Sequence, residues 1–274
     1  MNITFLGGGN MAAALIGGMI ERGFDAAAIQ AIELSAAARA QLETRFGIRC
    51  TDNADERALA CDVLVLAVKP QQMKAALAPF AGRLGGQLVI SIAAGLRLGD
   101  LGRWLGGSGA PYTRLVRCMP NTPALIGAGV TGLYADPSVD GAGRDAAERV
   151  LAAVGSTVWI AAEAQMDAVT AVSGSGPAYV FHFIEALESA GRSLGFDETA
   201  ARRFAIDTVL GAARLAAASP DAPAVLRERV TSKGGTTEAA LASLAAAGWH
   251  DELVAAVQAA DARGRELGEL LGKD

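Results

Sequence analysis

Six apolar residues in a row, Val63-Leu64-Val65-Leu66-Ala67-Val68, end abruptly at Lys69-Pro70. A strand with one wet face alternates polar and apolar positions. An unbroken aliphatic and β-branched run must instead be covered on both faces, as in the middle of a parallel sheet. The pattern recurs in Ile3-Thr4-Phe5-Leu6, stopped by Gly7-Gly8-Gly9, and in the stretch closed by Ala31-Ile32-Glu33. It recurs again in Leu88-Val89-Ile90-Ser91-Ile92, stopped by Ala93-Ala94-Gly95, and in Leu115-Val116-Arg117-Cys118-Met119, stopped by Pro120. Helical patterns over Met11–Glu21, through Leu42 and from Gln71 onward lie between these runs. The alternation predicts an α/β fold with a mostly parallel, doubly wound sheet.

Beyond about residue 160 the strand signal vanishes. Helices are expected over Met166–Val172, Pro177–Leu194, Glu198–Ala218, Thr236–Ala247 and Glu252–Leu271. The change of period puts a boundary near 161: residues 1–161 form the α/β domain, and residues 162–274 an all-α domain.

Composition excludes several function classes. With 274 residues, 51% hydrophobic and 19% charged, the chain can bury a large core without disulfides or metals. A formal net charge of −5 and the lack of any Lys/Arg cluster argue against a nucleic-acid partner. Cys50, Cys61 and Cys118 show no ligand spacing and read as free thiols of a reducing compartment. His182 and His250 stand far apart, so neither a metal site nor a Ser-His-Asp hydrolase is expected. Met1-Asn2 runs straight into an apolar strand, and no 18-residue apolar stretch occurs. The expectation is a cytoplasmic protein with no signal peptide and no membrane span.

Six segments and one acidic side chain carry chemistry. Gly7-Gly8-Gly9-Asn10-Met11-Ala12 fits G-x-G-x-x-A between a strand and a helix. There the glycines admit a pyrophosphate and the helix N-terminus favours its charge. Glu33 closes the second strand 24 residues after Gly9, where an acidic side chain accepts from ribose hydroxyls. Ala67-Val68-Lys69-Pro70 and Ala93-Ala94-Gly95 end strands at the edge where ligands of such sheets bind, or serve as plain surface turns. Met119-Pro120-Asn121-Thr122-Pro123-Ala124 is a rigid loop for a nicotinamide or substrate contact, or a structural turn. Ser173-Gly174-Ser175-Gly176-Pro177 opens a helix, with Ser175 as polar ligand contact, N-cap, or both. Val230-Thr231-Ser232-Lys233-Gly234-Gly235-Thr236-Thr237-Glu238 opens another. It suits a carboxylate, or a capping box with Gly235 at the N-cap and Glu238 at N3.

In this order the segments resemble those of the pyrroline-5-carboxylate reductase family, and the resemblance spans essentially the whole chain. The last three are specific to that family; the first is shared by many dehydrogenases. Lys233 departs from the proline the family often has before the two glycines. Ser219-Pro220-Asp221 stands where some members place a glutamate. The resemblance implies an N-terminal Rossmann domain and a C-terminal helical domain that binds substrate and dimerises, with dimers assembling further into rings. It implies hydride transfer from NADPH or NADH to the C=N carbon of L-1-pyrroline-5-carboxylate, giving L-proline.

The implied substrate contacts are Ser175, Val230, Ser232, Gly235, Thr236 and Thr237. Thr237 doubles as the catalytic hydroxyl beside the ring nitrogen. The expected cofactor set is Gly7, Gly9, Asn10, Met11, Glu33, Ser35, Asn53, Ala67, Val68, Lys69, Pro70, Ala93, Ala94 and Asn121. Glu33 disfavours a 2′-phosphate while Ser35 and Arg39 could hold one, so both cofactors are expected to work. A cyclic imine takes its proton from solvent near neutral pH, so the shortage of histidine is no obstacle.

Two alternative readings compete with this one. A 3-hydroxy-acid dehydrogenase of the same architecture needs a lysine one turn into the long helix, and Gly176–His182 has none. A non-catalytic dinucleotide sensor would need neither of the two hydroxyl-rich loops.

Overall fold

The computed structural model describes residues 1–272. It divides into two compact units. The first comprises Met1–Ser175 together with the segment from Ala260 onward, and the second comprises Gly176–Ala259.

The first unit is built on an eight-stranded sheet: β1 (Ile3–Leu6), β2 (Ile29–Ile32), β3 (Arg49–Thr51), β4 (Val63–Leu66), β5 (Leu88–Ser91), β6 (Leu115–Met119), β7 (Gly129–Ala135) and β8 (Gly155–Trp159). Their order is β3-β2-β1-β4-β5-β6-β7-β8. The first six run parallel; β7 is antiparallel to β6, and β8 is parallel to β7. Each unbroken apolar run is an interior strand, and alternate residues serve opposite faces. Ile3, Phe5, Val63, Val65 and Ile90 join one buried cluster; Leu6, Leu64, Leu66 and Val89 join the other.

Helices α1 (Asn10–Glu21), α2 (Ala36–Phe46) and α6 (Gly141–Leu151) supply Leu15, Ile16, Met19, Leu42 and Val150 to the first cluster. Helices α3 (Glu56–Leu59), α4 (Pro70–Leu77) and α5 (Leu98–Gly106) supply Ala58, Met73, Leu77 and Leu101 to the second. The sheet is thus covered on both sides, as its sequence requires.

The packing division falls later than residue 161. The segment holding α7 (Met166–Val169) lies on the sheet because Gly132 of β7 has no side chain. A Cβ there would sit 2.6 Å from Val169 Cγ1. Gly268, on the last helix, allows a close approach to the Gly95 carbonyl oxygen, 3.0 Å from where its Cβ would be.

The second unit consists of α8 (Gly176–Ser193), α9 (Glu198–Ala218), α10 (Pro223–Arg229), α11 (Thr236–Ala246) and the first part of α12 (Trp249–Leu271). Only Ala201 and Ala205 are buried among residues 176–259. Phe181, Phe183, Phe204, Ile206 and Leu210 are exposed.

Candidate active site

The sheet order reverses between β1 and β4, and ligands of such sheets bind in the crevice at that switch point. The first turn after β1 is shaped for close approach. Gly7 has φ +102°, and a Cβ on it would lie 2.8 Å from the Ala67 carbonyl oxygen. Only glycine fits there. Gly9 is the N-cap of α1 and provides no side-chain cap; nothing else comes within 4 Å of the place its Cβ would take. The leading N–H groups of a twelve-residue helix are therefore left for another acceptor. This open end fits a pyrophosphate.

Beside the turn lies a cavity of about 730 Å³. Of the expected cofactor residues, Gly7, Glu33, Ser35, Asn53 and Val68 line it. Glu33 is anchored by two backbone donors. Its Oε2 accepts from the Gly8 N–H at 2.9 Å and its Oε1 from the Ser35 N–H at 2.8 Å. The Ser35 hydroxyl caps α2 through the Ala38 N–H. Asp52, Gln71, Gln72 and Phe80 complete the wall and were not singled out in the sequence. Their place was inferable only from the strand order, which brings the first turn of α4 beside the end of β2.

The remaining expected cofactor residues lie outside this cavity, along the same carboxyl edge of the parallel strands. Asn10 is exposed and Met11 half-buried at the start of α1. Ala67 follows β4; the exposed Lys69 caps α4 without a side-chain hydrogen bond, and Pro70 is its first residue. Ala93 is buried after β5 and Ala94 exposed.

Asn121 is engaged within the protein. Its side chain turns inward, accepting from the Val130 N–H at 3.0 Å and donating to the Ser173 carbonyl at 3.1 Å. It clamps the loop, and the exposed residue there is Thr122. Ser175 is no N-cap. Residues 170–174 form a π-turn, and the Ser175 N–H donates to the Thr170 carbonyl at 2.8 Å. The helical path therefore runs through the segment where a helix start was expected.

In the second unit, the segment before α11 turns at Gly234, with φ +73°. Glu238 reaches back to the Gly234 N–H at 2.7 Å, one residue short of the expected capping-box partner, Gly235. Gly235 is the N-cap and supplies no side-chain cap. None of the hydrogen bonds among the described residues involves the hydroxyls of Ser232, Thr236 or Thr237. An uncapped eleven-residue helix with three unengaged hydroxyls at its start suits a carboxylate. Val230, just before this turn, is exposed.

Residues 163–267 match the family model described as pyrroline-5-carboxylate reductase dimerisation. Residues 2–95 match the model described as NADP oxidoreductase, coenzyme F420-dependent. The pyrroline-5-carboxylate reductase of Pseudomonas aeruginosa is 47% identical over 272 residues, covering 99% of this chain and 98% of that protein. The chain belongs to the pyrroline-5-carboxylate reductase family.

Solved members of that family share its fold. A pyrroline-5-carboxylate reductase from Coxiella burnetii superposes with a TM-score of 0.91 at 39% identity, over 97% of this chain and 98% of that one. The pyrroline carboxylate reductase of Plasmodium falciparum, solved with NADP bound, gives 0.84 at 28% identity over 98% of each chain. The α1 N-terminus and its cavity belong to the Rossmann-like sheet domain of this chain. Among the described residues no helix is long and apolar enough to cross a membrane.

Proposed function

We propose that the uncapped N-terminus of α11, with Ser232, Gly235, Thr236 and Thr237, holds the carboxylate of L-1-pyrroline-5-carboxylate. The chain is an NAD(P)H-dependent oxidoreductase that reduces this cyclic imine to L-proline. What carries the substrate assignment is the set of hydroxyls left without protein partners beside free helix N–H groups. Ser175 and Val230 complete the proposed contacts.

The α1 N-terminus would hold the pyrophosphate of NAD(P)H, and the edge of β4 and β5 at Ala67–Pro70 and Ala93-Ala94 would flank the remainder. When bound, the nucleotide would supply the hydride taken up by the C=N carbon. The imine nitrogen is protonated from solvent, and the Thr237 hydroxyl orients it. Catalysis then rests on positioning ring and nicotinamide within reaction distance.

The protein works as a homo-oligomer. In our reading the helical C-terminal region, 162–274, is the dimerisation and substrate domain, and dimers join into a higher ring. Support comes from the second unit, whose helices bury only two alanines and leave Phe181, Phe183 and Phe204 exposed. Three free cysteines support a reducing, cytoplasmic site of action.

The deciding experiment follows NAD(P)H oxidation with and without L-1-pyrroline-5-carboxylate and identifies the product. Substrate-dependent turnover to L-proline is expected. Folded protein that binds the nucleotide and shows no such rate overturns the reading.

A further inference from the structure

We infer that the cavity at the ends of β1 and β2 selects NADH and rejects the 2′-phosphate of NADPH, with Glu33 as the specificity-determining residue. This rests on the dinucleotide-binding role of the first unit, and four observations carry it further.

The first is charge. The ionisable groups lining the cavity are Glu33 and Asp52, both acidic; no lysine or arginine among the described residues lines it. A ribose hydroxyl can donate to a carboxylate, whereas a 2′-phosphate carries about two negative charges into the same space.

The second is the anchoring of Glu33. With the Gly8 N–H on one oxygen and the Ser35 N–H on the other, the carboxylate is held at the cavity wall. A carboxylate oxygen accepts more than one hydrogen bond, so both oxygens keep capacity for ribose hydroxyls. Swinging the side chain away would leave two backbone donors without their partner.

The third is the fate of Arg39, whose guanidinium lies at the β2–α2 loop. Its Nη1 donates to the carbonyls of Glu33 at 2.7 Å and Leu34 at 2.9 Å. Its Nη2 lies 3.9 Å from Asp52 Oδ2. Nη1 thus braces the β2–α2 loop, which holds the guanidinium against those two carbonyls and beside an acidic side chain.

The fourth is the start of α2, two of whose leading donors are already engaged. The Ser35 hydroxyl already takes the Ala38 N–H, and Glu33 takes that of Ser35.

Binding without turnover tests this. Dissociation constants for NADH and NADPH are measured by fluorescence titration of the full chain, together with competition by 5′-AMP and 2′,5′-ADP. NADH is expected to bind about tenfold or more tightly than NADPH, and 5′-AMP to compete better than 2′,5′-ADP. Glu33→Gln keeps the shape and removes the charge. It should shrink the NADH preference by about tenfold, mainly through tighter NADPH binding.

A measurement on the unaltered protein covers the case where the variant fails to fold. Raising ionic strength from about 20 mM to about 500 mM screens repulsion, so the NADH preference must shrink. A cationic phosphate site would make it grow. Equal or tighter binding of NADPH in the wild type, or a preference that widens with salt, overturns the proposal. So does a preference that is unchanged in folded Glu33→Gln. If neither nucleotide binds, the dinucleotide role itself fails, which is a distinct outcome.

Discussion

The Asn121 side chain donates to the Ser173 carbonyl at 3.1 Å. That carbonyl is free because its helical partner four residues on is Pro177, which has no N–H to give. One proline thus creates an acceptor that the loop after β6 uses to dock on the π-turn. The two segments joined this way are the Met119–Ala124 and Ser173–Tyr179 motifs.

Asn121→Ala should destabilise the first unit by about 1–2 kcal/mol, because it strands the half-buried Val130 N–H as well as the Ser173 carbonyl. Asn121→Asp should fare no better: it keeps an acceptor for Val130 but sets a carboxylate against a carbonyl. Urea denaturation of both variants checks this, and a midpoint close to wild type would show that the clamp is dispensable.

A second brace starts from the middle of β6. Arg117 is almost fully buried, with Nη1 3.3 Å from Glu163 Oε1 and Nη2 3.5 Å from Asp167 Oδ1. The same Glu163 oxygen accepts from the Leu98 N–H at 2.7 Å, capping α5 from a distant part of the chain. Glu163→Ala should cost about 2–4 kcal/mol, since it removes the cap and weakens the compensation of a buried cation. Glu163→Gln, which retains an acceptor, should cost less. The ordering of the two Tm values is the test.

Thr237→Ala should lower the rate with L-1-pyrroline-5-carboxylate by about tenfold, the loss of one oriented hydrogen bond. The dissociation constant of NADH should be little changed, because the hydroxyl is proposed to engage the substrate and not the nucleotide. Near-wild-type kinetics would reduce this hydroxyl to a bystander.

The interior of the sheet was legible because burial on both faces leaves an unbroken apolar run. The edges were not. In β8, Gly155-Ser156-Thr157-Val158-Trp159, no residue is fully buried, and β3 is three half-buried residues. β7 is thinned by Gly129 and Gly132, which its neighbours require to be small. The glycine turn, Glu33 and the hydroxyls before α11 could be read from residue type and spacing. The inward turn of Asn121 could not, since its partners are 9 and 52 residues away. Nor could the π-turn, because Pro177 has the appearance of a helix start whichever way the preceding chain is coiled.

Acid should remove one local tie before the core yields. Arg49 pairs with Asp55 and also donates to Gln30 Oε1 at 2.7 Å. The hydrogen bond from Arg49, then that from the Ala58 N–H, holds the Asp55 carboxyl below the ordinary carboxylate range. A lowered folded value means the pair stabilises at pH above about 4, and that contribution is lost as pH falls through the folded value. Both side chains are about one-third exposed, which limits the effect to about 1 kcal/mol or less. Asp55→Asn should therefore be less stable than wild type at pH 7, with the gap closing toward pH 2. A gap that stays constant with pH would assign the effect to lost capping alone.

The thiols give a last, independent check on packing. Burial pushes Cys61 and the fully buried Cys118 upward, and pushes Cys50 up to about 11 with the Glu43 carboxylate adding to the rise. A raised value means the neutral thiol persists through pH 8, and the neutral thiol is the unreactive form. Cys50 is the one cysteine that is only half-buried. At pH 8 about a thousandth of it is thiolate, so a disulfide reagent should label the native protein slowly and at this site alone. The rate should climb about tenfold per pH unit from 8 to 10. Cys50→Ser should abolish native labelling, while denaturant should release all three thiols of the wild type. Fast labelling at Cys118 in the native protein would mean that β6 opens to solvent far more readily than its burial at the centre of the sheet allows.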